Sequence, residues 1–314
     1  MSSHETLIFG SRGSKLALAQ TQSIMTALER RFFGLRCELK IIKTLGDRIL
    51  DQPLAKIEGK GLFVKEIEKA LLSGEIDVAV HSLKDLPTEQ PEELIIAAIP
   101  ERADARDVLY HPRQLTLAEL PPMARIGTSS LRRSAQLRRL RPDIRLSDIR
   151  GNVDTRMRKV DAGEYDATVL AAAGLLRLNM LSQRMVFFLF EEMLPAPGQG
   201  ALAIEVHRNN ERALRYVRAL NHEPTALAVL AERTVLSALG GGCAIPLAAF
   251  AQVDGNDIHL QARVIHPDGA PMLAASGHAR REQAERLGRQ IAEKLIEQGA
   301  HDIIHAKEVS HAIE

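Results

Sequence analysis

The chain has 314 residues and a formal net charge of +1, with 45% hydrophobic and 26% charged residues, a composition typical of a globular protein with two or three domains. Aromatic residues make up only 4% and tryptophan is absent, which speaks against recognition by aromatic stacking. The two cysteines and 11 histidines lack metal-type spacing, so we expect neither a disulfide framework nor a metal site.

The first third of the chain alternates between strand and helix patterns. From the periodicity we predict, in chain order, a strand at 6–9, a glycine turn at 10–14, a helix at 15–31, a strand at 37–44, a helix from 61 to 74 and a buried strand at 76–80. The segment 46–59 mixes charge, proline and flanking glycines, which is typical of a long mobile loop. Parallel α/β structure is therefore expected.

A second copy of this pattern follows. The segment 8–11 leads into a helix as 125–128 does, and 61–77 resembles 151–166 in its paired glycines and closing Glu-x-Asp. The order of both pairs is kept. We therefore predict two α/β lobes of one design that face each other across a cleft.

Two composition shifts, at 99–104 and 194–200, predict crossings between these lobes, with a strand at 201–206 returning to the first. The C-terminal region predicts a helix at 224–239, an antiparallel meander with strands at 247–253, 258–265 and 272–277, and a covering helix at 281–298. The expected domains are lobe 1 at 1–100 plus 201–218, lobe 2 at 106–194, and a C-terminal domain at 222–314.

One stretch concentrates positive charge. Residues 124–159 contain ten Arg and one Lys against three Asp, a local net of +8, whereas the whole chain carries +1. Small hydroxyls and free backbone N–H groups at 127–130 precede a helix, a setting that favours an anion. The pattern indicates a wall that binds something anionic, although an exposed basic helix is an alternative.

A conspicuous polar segment, 81–87, follows the buried strand at 76–80. If the strand stays extended to Pro87, His81, Leu83 and Asp85 share one face. A carboxylate there is suited to stabilising a cationic intermediate or moving a proton, and the alternative is an Asp in a local turn.

Cys243 follows three glycines, which permit close approach of the backbone to a bound group. The alternative is a small buried hydrophobe, and Cys37, in a predicted strand, is interpreted in that way. Six arginines lie in or beside predicted glycine turns and helix starts, where their forks suit carboxylates: Arg12, Arg132, Arg133, Arg150, Arg156 and Arg177. Arg138, Arg139 and Arg141 follow along a helix and are expected on a solvated face.

These residues resemble one family, the porphobilinogen deaminases, also called hydroxymethylbilane synthases. The matching segments occur in family order over nearly the whole chain: TLGD (44–47), GKGLFVKE (59–66), HSLKDLP (81–87), GTSSLRR (127–133), RGNVDTR (150–156), GEYDA (163–167), PGQGA (197–201) and GGC (241–243). The family usually reads Asp-Pro-Arg-Asp where this chain has Asp104-Ala105-Arg106-Asp107, so the first crossing lacks a proline's stiffness.

The resemblance implies a fold and a chemistry. The fold is α/β, with two lobes like a bilobal (type II) periplasmic binding protein and a small third α/β domain with a three-stranded antiparallel sheet. The activity is that of a transferase of haem biosynthesis. Four porphobilinogen molecules are joined head to tail on a covalent dipyrromethane cofactor with loss of ammonia, and hydrolysis releases the linear tetrapyrrole hydroxymethylbilane.

The resemblance also assigns site residues. Asp85 would be the catalytic residue, ionised and in contact with pyrrole N–H groups, and Cys243 would carry the cofactor through a thioether. The cofactor and substrate would be bound by Arg12, Ser14, Lys84, Thr128, Ser129, Ser130, Arg132, Arg133, Arg150, Gly151, Asn152, Arg156, Arg177 and Gln199. Phe63 would pack beside the cofactor, and 48–60 would form a lid.

Two other classes of protein share parts of these patterns. A non-catalytic bilobal anion-binding or ligand-sensing module shares the cleft but has no use for a cysteine that faces it. A nucleic-acid binder would use the basic stretch, but the near-neutral total charge and few aromatics disfavour it. The N-terminal residues lack signal-peptide features and no apolar run approaches 18 residues, so we expect a cytoplasmic protein with no membrane partner, and a monomer by family resemblance.

Overall fold

The computed structural model describes residues 5–44, 64–241 and 245–310, with side chains up to residue 305. The chain divides into two compact units. The first comprises Met1–Arg102 and Ala201–Ala226, and the second comprises Ala103–Gly200 and Leu227–Glu314. Since β structure and helices alternate in both, the predicted α/β class is confirmed.

The first unit is built on a mixed sheet that has five strands in the described part of the chain. The strands are β1 (Glu5–Ser11), β2 (Leu35–Ile41), β3 (Val78–Ser82), β4 (Leu94–Ala98) and β10 (Leu202–His207), in the order β2-β1-β3-β10-β4. Strand β1 is parallel to β2 and β3, and β10 is antiparallel to both of its neighbours. As predicted, the chain therefore returns to the first sheet after the second crossing.

Helices cover both faces of this first sheet. They are α1 (Lys15–Arg31), α2 (Lys65–Leu72) and α6 (Glu211–Val217), with a 3₁₀ turn at Arg218–Leu220 after α6. Ile24 and Leu28 of α1 and Leu214 of α6 pack in one apolar cluster, whereas Ile67 and Leu71 of α2 pack in another. Burial on both faces explains the nearly continuous apolar runs of the central strands.

The second unit contains a sheet of the same design, again with five strands among the described residues. Its strands are β5 (Asp107–Tyr110), β6 (Arg125–Gly127), β7 (Arg145–Ser147), β8 (Ala167–Ala171) and β9 (Met185–Phe187), in the order β7-β6-β8-β5-β9. The helices between them are α3 (Leu131–Leu140), α4 (Val153–Asp161) and α5 (Ala172–Arg177). Strand β6 is parallel to β7 and β8, and β5 is antiparallel to β8 and β9.

The two sheets confirm the predicted internal repeat in register as well as in order. Gly10 pairs with Ala79 in the first sheet as Gly127 pairs with Thr168 in the second. The carboxylate of Asp77 accepts a hydrogen bond from the backbone N–H of Ile8 at 2.9 Å, and Asp166 does the same for Arg125 at 2.6 Å. Positions in β3 therefore correspond to positions in β8 at a constant offset of 89 residues, which we use below.

The C-terminal residues form an antiparallel meander, as predicted. Strands β11 (Leu247–Asp254), β12 (Asp257–Ile265) and β13 (Met272–Arg280) lie in that order, and helices α7 (Glu223–Ala238), α8 (Ala284–Glu297) and α9 (Ala300–Ser310) accompany them, with a 3₁₀ turn at Arg281–Gln283. The sequence pattern did not predict α9. Leu287, Ile291 and Leu295 of α8 face the sheet in a shared apolar core with Val235 of α7.

Within the second unit, this C-terminal part is joined to the second crossing by buried contacts. Glu232 on α7 is fully buried and accepts hydrogen bonds at 2.7 Å from the backbone N–H groups of Gly198 and Ala251. The rings of Phe190 and Phe250 stack with their centroids 4.3 Å apart. The predicted domain boundary at residue 222 remains a prediction.

Several predicted element limits differ from the observed ones, and two of these differences bear on the site. Strand β1 continues through Ser11, which pairs with Ile41, so the turn is confined to the three residues before α1. Strand β3 ends at Ser82 and is followed by a 3₁₀ turn, Leu83–Asp85, closed by a hydrogen bond from the Leu86 N–H to the Leu83 carbonyl. The face shared by alternate residues up to Pro87 therefore does not exist.

Candidate functional site

Asp85 stands in the 3₁₀ turn at the carboxyl end of β3, in the first unit. Leu83 and Leu86 are buried on either side of it, while Asp85 itself is exposed. Their burial anchors the turn and turns the carboxylate outward. No hydrogen bond to this carboxylate is found among the described residues, so it is available to accept one from a ligand.

A pocket of the first unit opens beside Asp85. It is lined, among others, by Arg12, Gln20, Ile67, His81, Ser82 and Asp85. The Gln20 side-chain amide donates a 2.8 Å hydrogen bond to the Ser82 hydroxyl, which fixes two of its polar walls. The structure therefore brings together an exposed carboxylate, a guanidinium and an imidazole within one unit.

The start of α1 borders the same pocket. Ser14 is the N-cap, and its hydroxyl accepts a 3.3 Å hydrogen bond from the N–H of Ala17, which itself lines the pocket. The partial positive charge of a 17-residue helix at this end favours an anionic group, and Arg12 lies just before it. Arg12 therefore lines the pocket with Asp85, and Ser14 caps the helix that begins beside it.

In the second unit, the loop before α3 uses most of its hydroxyls internally. Thr128 accepts from the N–H of Ser130, and Ser129 exchanges hydrogen bonds with the backbone of Ile149 at 3.1 and 3.2 Å. Ser130 caps α3 by accepting from the Arg133 N–H. These contacts shape the loop, and Ser129 remains exposed on it.

The start of α4 provides a second helix N-terminus in that unit. Gly151 has φ +105°, and a Cβ there would lie 2.6 Å from the Thr155 side chain, so this turn requires glycine. Asn152 is the N-cap residue but makes no capping hydrogen bond with its side chain. Arg150 and Arg156 are half-buried around it, and the Arg156 Nε donates to the Gly151 carbonyl at 2.9 Å.

Arg132 and Arg133 are directed into the protein rather than to the surface. Both are buried and form ion pairs with the fully buried Asp107 at 2.8 and 2.7 Å. Burial alone would raise the pKa of Asp107, but the two guanidinium charges outweigh it and hold that pKa well below its ordinary value. A single internal carboxylate therefore pairs with both arginines and offsets one of their two charges.

Gln199 and Arg177 contact the segments that cross between the units. The Gln199 amide donates to the Ala105 carbonyl at 2.7 Å and to Asp107 at 3.0 Å. Arg177 donates to the Gly200 carbonyl at 2.7 Å, and burial lowers its pKa to about 10. Both side chains thus fix the crossing segments within the second unit.

Three predicted features lie outside the described residues: the lid at 48–60, Phe63 and Cys243. Lys84 is half-buried in the turn with Asp85. Of the three arginines predicted on a solvated face, Arg139 is exposed, Arg138 is 40% exposed and Arg141 is more covered, at 20% exposed. Arg138 donates to the Pro267 carbonyl, and Arg141 binds Asp143 and backbone carbonyls of 117–120, because loop carbonyls there need donors.

Among the buried acids that sequence reasoning missed, Asp107 and Glu205 bear on the site. Glu205 is fully buried on β10, and its Oε2 lies 3.0 Å from the Nε2 of His81. A lone carboxylate inside the apolar run 201–206 is the signal that would have revealed it, since an isolated buried charge requires a partner.

The described donor set suits the group that the resemblance implies. A dipyrromethane presents ring N–H groups and several carboxylates. The first unit provides the N–H acceptor Asp85 with the half-buried cations Arg12 and Lys84, and the second unit separately provides the half-buried cations Arg150 and Arg156. No group of three possible metal ligands is found in the part of the chain that is described. No helix there is long and apolar enough to cross a membrane.

Solved structures with a similar course of the chain are ligand-binding domains. The methionine-binding protein MetQ matches with a TM-score of 0.44 and 11% identity over 68% of this chain and 89% of its own. The effector-binding domain of BenM with benzoate matches with a TM-score of 0.40 and 15% identity over 68% and 91%. No argument about function rests on likenesses this distant.

Sequence comparisons are much closer. The family model "Porphobilinogen deaminase, dipyromethane cofactor binding domain" matches residues 7–215, and "Porphobilinogen deaminase, C-terminal domain" matches 226–297. Porphobilinogen deaminase of Geotalea uraniireducens is 46% identical over 98% of this chain and 97% of its own. That of Moorella thermoacetica is 50% identical over 94% of each. With such identity along nearly its whole length, the chain belongs to the porphobilinogen deaminase family, the transferases that build hydroxymethylbilane on a dipyrromethane cofactor.

Proposed function

We propose that this chain condenses four porphobilinogen molecules with Asp85 as the catalytic carboxylate and Cys243 as the attachment point of the dipyrromethane. The observation that carries the first assignment is the exposed Asp85 carboxylate, held beside a helix N-terminus and Arg12 in one pocket. The assignment of Cys243 rests on the family motif at 241–243.

The role of Asp85 follows from where charge develops. When the C–N bond of the aminomethyl group of porphobilinogen breaks and its nitrogen leaves as ammonia, the remaining methylene-pyrrole system is positively charged, and a carboxylate that accepts the ring N–H stabilises that charge at short range. The bound dipyrromethane supplies the ring carbon to which the first substrate is joined. Asp85 also orients the ring, because a carboxylate accepts N–H bonds in a defined direction.

Cations of both units bind carboxylates in this proposal. Arg12 and Lys84 act in the first unit and Arg150 and Arg156 in the second, where each charged hydrogen bond contributes about 1.5–3 kcal/mol. Ser14, Ser129, Ser130 and Asn152 add helix N-termini and hydroxyl groups. Arg132, Arg133, Arg177 and Gln199 contribute by fixing the backbone that carries these groups, since the described structure gives each of them an internal partner.

Intact-mass measurement tests the attachment, with the other cysteine as a matched control. We expect the wild type and Cys37→Ser to carry a mass excess of two linked pyrroles, and Cys243→Ser to carry none. Burial, with a smaller contribution from Glu29, raises the pKa of Cys37 to about 12, so it forms almost no thiolate at neutral pH. An excess that survives Cys243→Ser would contradict the assignment.

A wild type without excess mass would call for incubation with porphobilinogen before a second measurement. Loading at that stage identifies an unloaded enzyme, whereas continued absence would favour the non-catalytic binding module. We further propose that the protein acts in the cytoplasm as a monomer, which is the family expectation. Sedimentation of the loaded protein as a dimer would contradict the second part.

A further inference from the structure

Three titratable side chains cluster behind the Asp85 pocket. His81 on β3 lines the pocket, and its Nε2 lies 3.0 Å from the Oε2 of Glu205 on the neighbouring strand β10. The side chains are 7% and 0% exposed. Glu68, on α2, is close enough that the charge of Glu205 adds to burial in raising the Glu68 pKa, while His81 and Lys65 act in the opposite direction.

The repeat shows that the fold does not require this cluster. At the offset established above, His81 corresponds to Leu170 and Glu68 to Met157, and the strand pairings match Glu205 with Tyr110. In the second unit these three residues pack in one hydrophobic cluster. Because burial of charged groups is costly, their presence at the same positions in the first unit indicates a function rather than a packing need.

The contact with Glu205 uses only one of the two ring nitrogens of His81, Nε2. The contact between Nε2 and Glu205 fixes the orientation of the imidazole ring. A carboxylate hydrogen-bonded to a histidine commonly has this effect. No hydrogen bond to Nδ1 is found among the described residues. Since His81 and Asp85 line one pocket, a substrate ring bound to the carboxylate lies in the pocket that the imidazole also lines.

We propose that His81 accepts the proton released in each condensation from the free ring carbon of the bound chain, and that Glu205 is its positioning residue. The inference rests on the proposed role of the Asp85 pocket. Each condensation forms a bond between a ring carbon and the incoming methylene carbon, and breaks the C–N bond, whose electron pair leaves with ammonia. The ring carbon loses one proton to Nδ1, which passes it to the ammonia, so ammonium leaves and the imidazole is again neutral.

The test compares porphobilinogen carrying hydrogen or deuterium at the free ring carbon. In His81→Gln we expect kcat to fall about 10²- to 10⁴-fold, the usual contribution of a general base, and the rate ratio between the two substrates to rise above the wild-type ratio. Glu205→Gln should lower kcat less and raise the ratio in the same direction. An unchanged ratio, whatever the fall in kcat, would overturn the proposal.

Glu232→Gln is the matched control, because Glu232 is an equally buried carboxylate that accepts hydrogen bonds from the backbone N–H groups of Gly198 and Ala251 in the second unit. We expect it to lower the melting temperature and leave the isotope ratio unchanged. If His81→Gln fails to fold or to acquire the cofactor, the isotope ratio of Glu205→Gln tests the proposal in its place. If the isotope ratio also rose in Glu232→Gln, the ratio would depend on the stability of the protein and not on His81, and the proposal would be overturned.

Nitrogen-15 NMR of the histidine side chains gives a readout that is independent of activity. We expect His81 in the wild type to carry its proton on Nε2 when neutral, and Glu205→Leu to lose that preference. A wild-type Nδ1–H tautomer would overturn the inference. Failure of this inference can be distinguished from failure of the proposed function. Wild-type turnover in Asp85→Asn would contradict the catalytic role of Asp85 and would leave the isotope ratio of His81→Gln unchanged.

Discussion

The two sheets share one topology, but they use their buried acids differently. In the first, Glu205 lies on β10 next to His81 and the Asp85 pocket. In the second, Asp107 lies on β5 at the position that corresponds to the apolar Leu202, and it binds Arg132 and Arg133. The buried acid of the first sheet therefore contacts a residue of the Asp85 pocket, whereas that of the second sheet pairs with buried arginines and with Gln199 of the crossing segment.

The same contrast separates the arginines of the basic stretch. Arg132 and Arg133 are buried against Asp107, whereas Arg150 and Arg156 are half-buried around the start of α4. Similar sequence patterns, a glycine turn followed by a helix, thus place arginines in different environments. The presence of an acid on the adjoining strand decides between them.

The largest expected effect is on turnover, from Asp85→Asn in the first unit. Loss of the carboxylate charge should lower kcat about 10²- to 10³-fold or more, because it removes stabilisation of the developing positive charge. The free energy of unfolding should change by less than about 0.5 kcal/mol, since Asp85 is exposed. Glu89→Gln, at an exposed acid nearby, is the control, and equal kcat in both variants would remove Asp85 from the mechanism.

Asp107→Asn should have the opposite effects, a large loss of stability and a small change in kcat. Removing this charge leaves two buried guanidinium groups without a counter-ion, and we expect the free energy of unfolding to fall by about 3–5 kcal/mol in chemical denaturation. Because the folded pKa is lowered, the stabilisation is present above the unfolded pKa of about 3.9 and is lost as the pH falls through the folded pKa. The acid sensitivity of unfolding should therefore weaken in the variant. Wild-type stability would contradict a framework role.

Replacing arginines tests the division of the basic stretch. Arg150→Leu and Arg156→Leu should weaken porphobilinogen binding or cofactor loading by roughly 10- to 150-fold, the equivalent of one charged hydrogen bond of about 1.5–3 kcal/mol, with small changes in melting temperature. Arg132→Leu should mainly lower the melting temperature. Kinetics and calorimetry of the three variants measure these effects. If Arg132→Leu impaired cofactor loading without lowering the melting temperature, Arg132 would instead be a ligand-binding residue.

The smallest effects concern the strand-end glycines of the repeat. A Cβ on Gly10 would lie 2.2 Å from the Cδ1 of Ile76, and one on Gly127 would lie 2.9 Å from the Cβ and Cδ1 of Ile149. We expect Gly10→Ala and Gly127→Ala each to cost about 1–3 kcal/mol of unfolding free energy. Ile76→Val removes the Cδ1 and should relieve most of the first cost. No relief in that double variant would show that backbone strain, and not this contact, sets the cost.

Much of this protein was determined by its sequence alone. Helix α1 was predicted at its observed limits, because a serine cap and apolar periodicity are local signals. The repeat and the C-terminal meander were also predicted, since the repeated glycines at 10 and 127 and the turns at 254–256 and 267–269 mark them in the chain. Asp85 was singled out for a similar reason, as it follows a buried strand.

Only the tertiary structure decided which charges meet. Asp107 lies 25 and 26 residues from its two arginines, and Glu205 lies 124 residues from His81, so their pairing depends on strand order. The sequence likewise left open whether Asp85 lies on an extended strand or in a local turn, and the burial of Leu83 and Leu86 decides for the turn. Short-range patterns fix helices and turns, whereas the environment of a buried charge is set by neighbours that the fold brings from elsewhere in the chain.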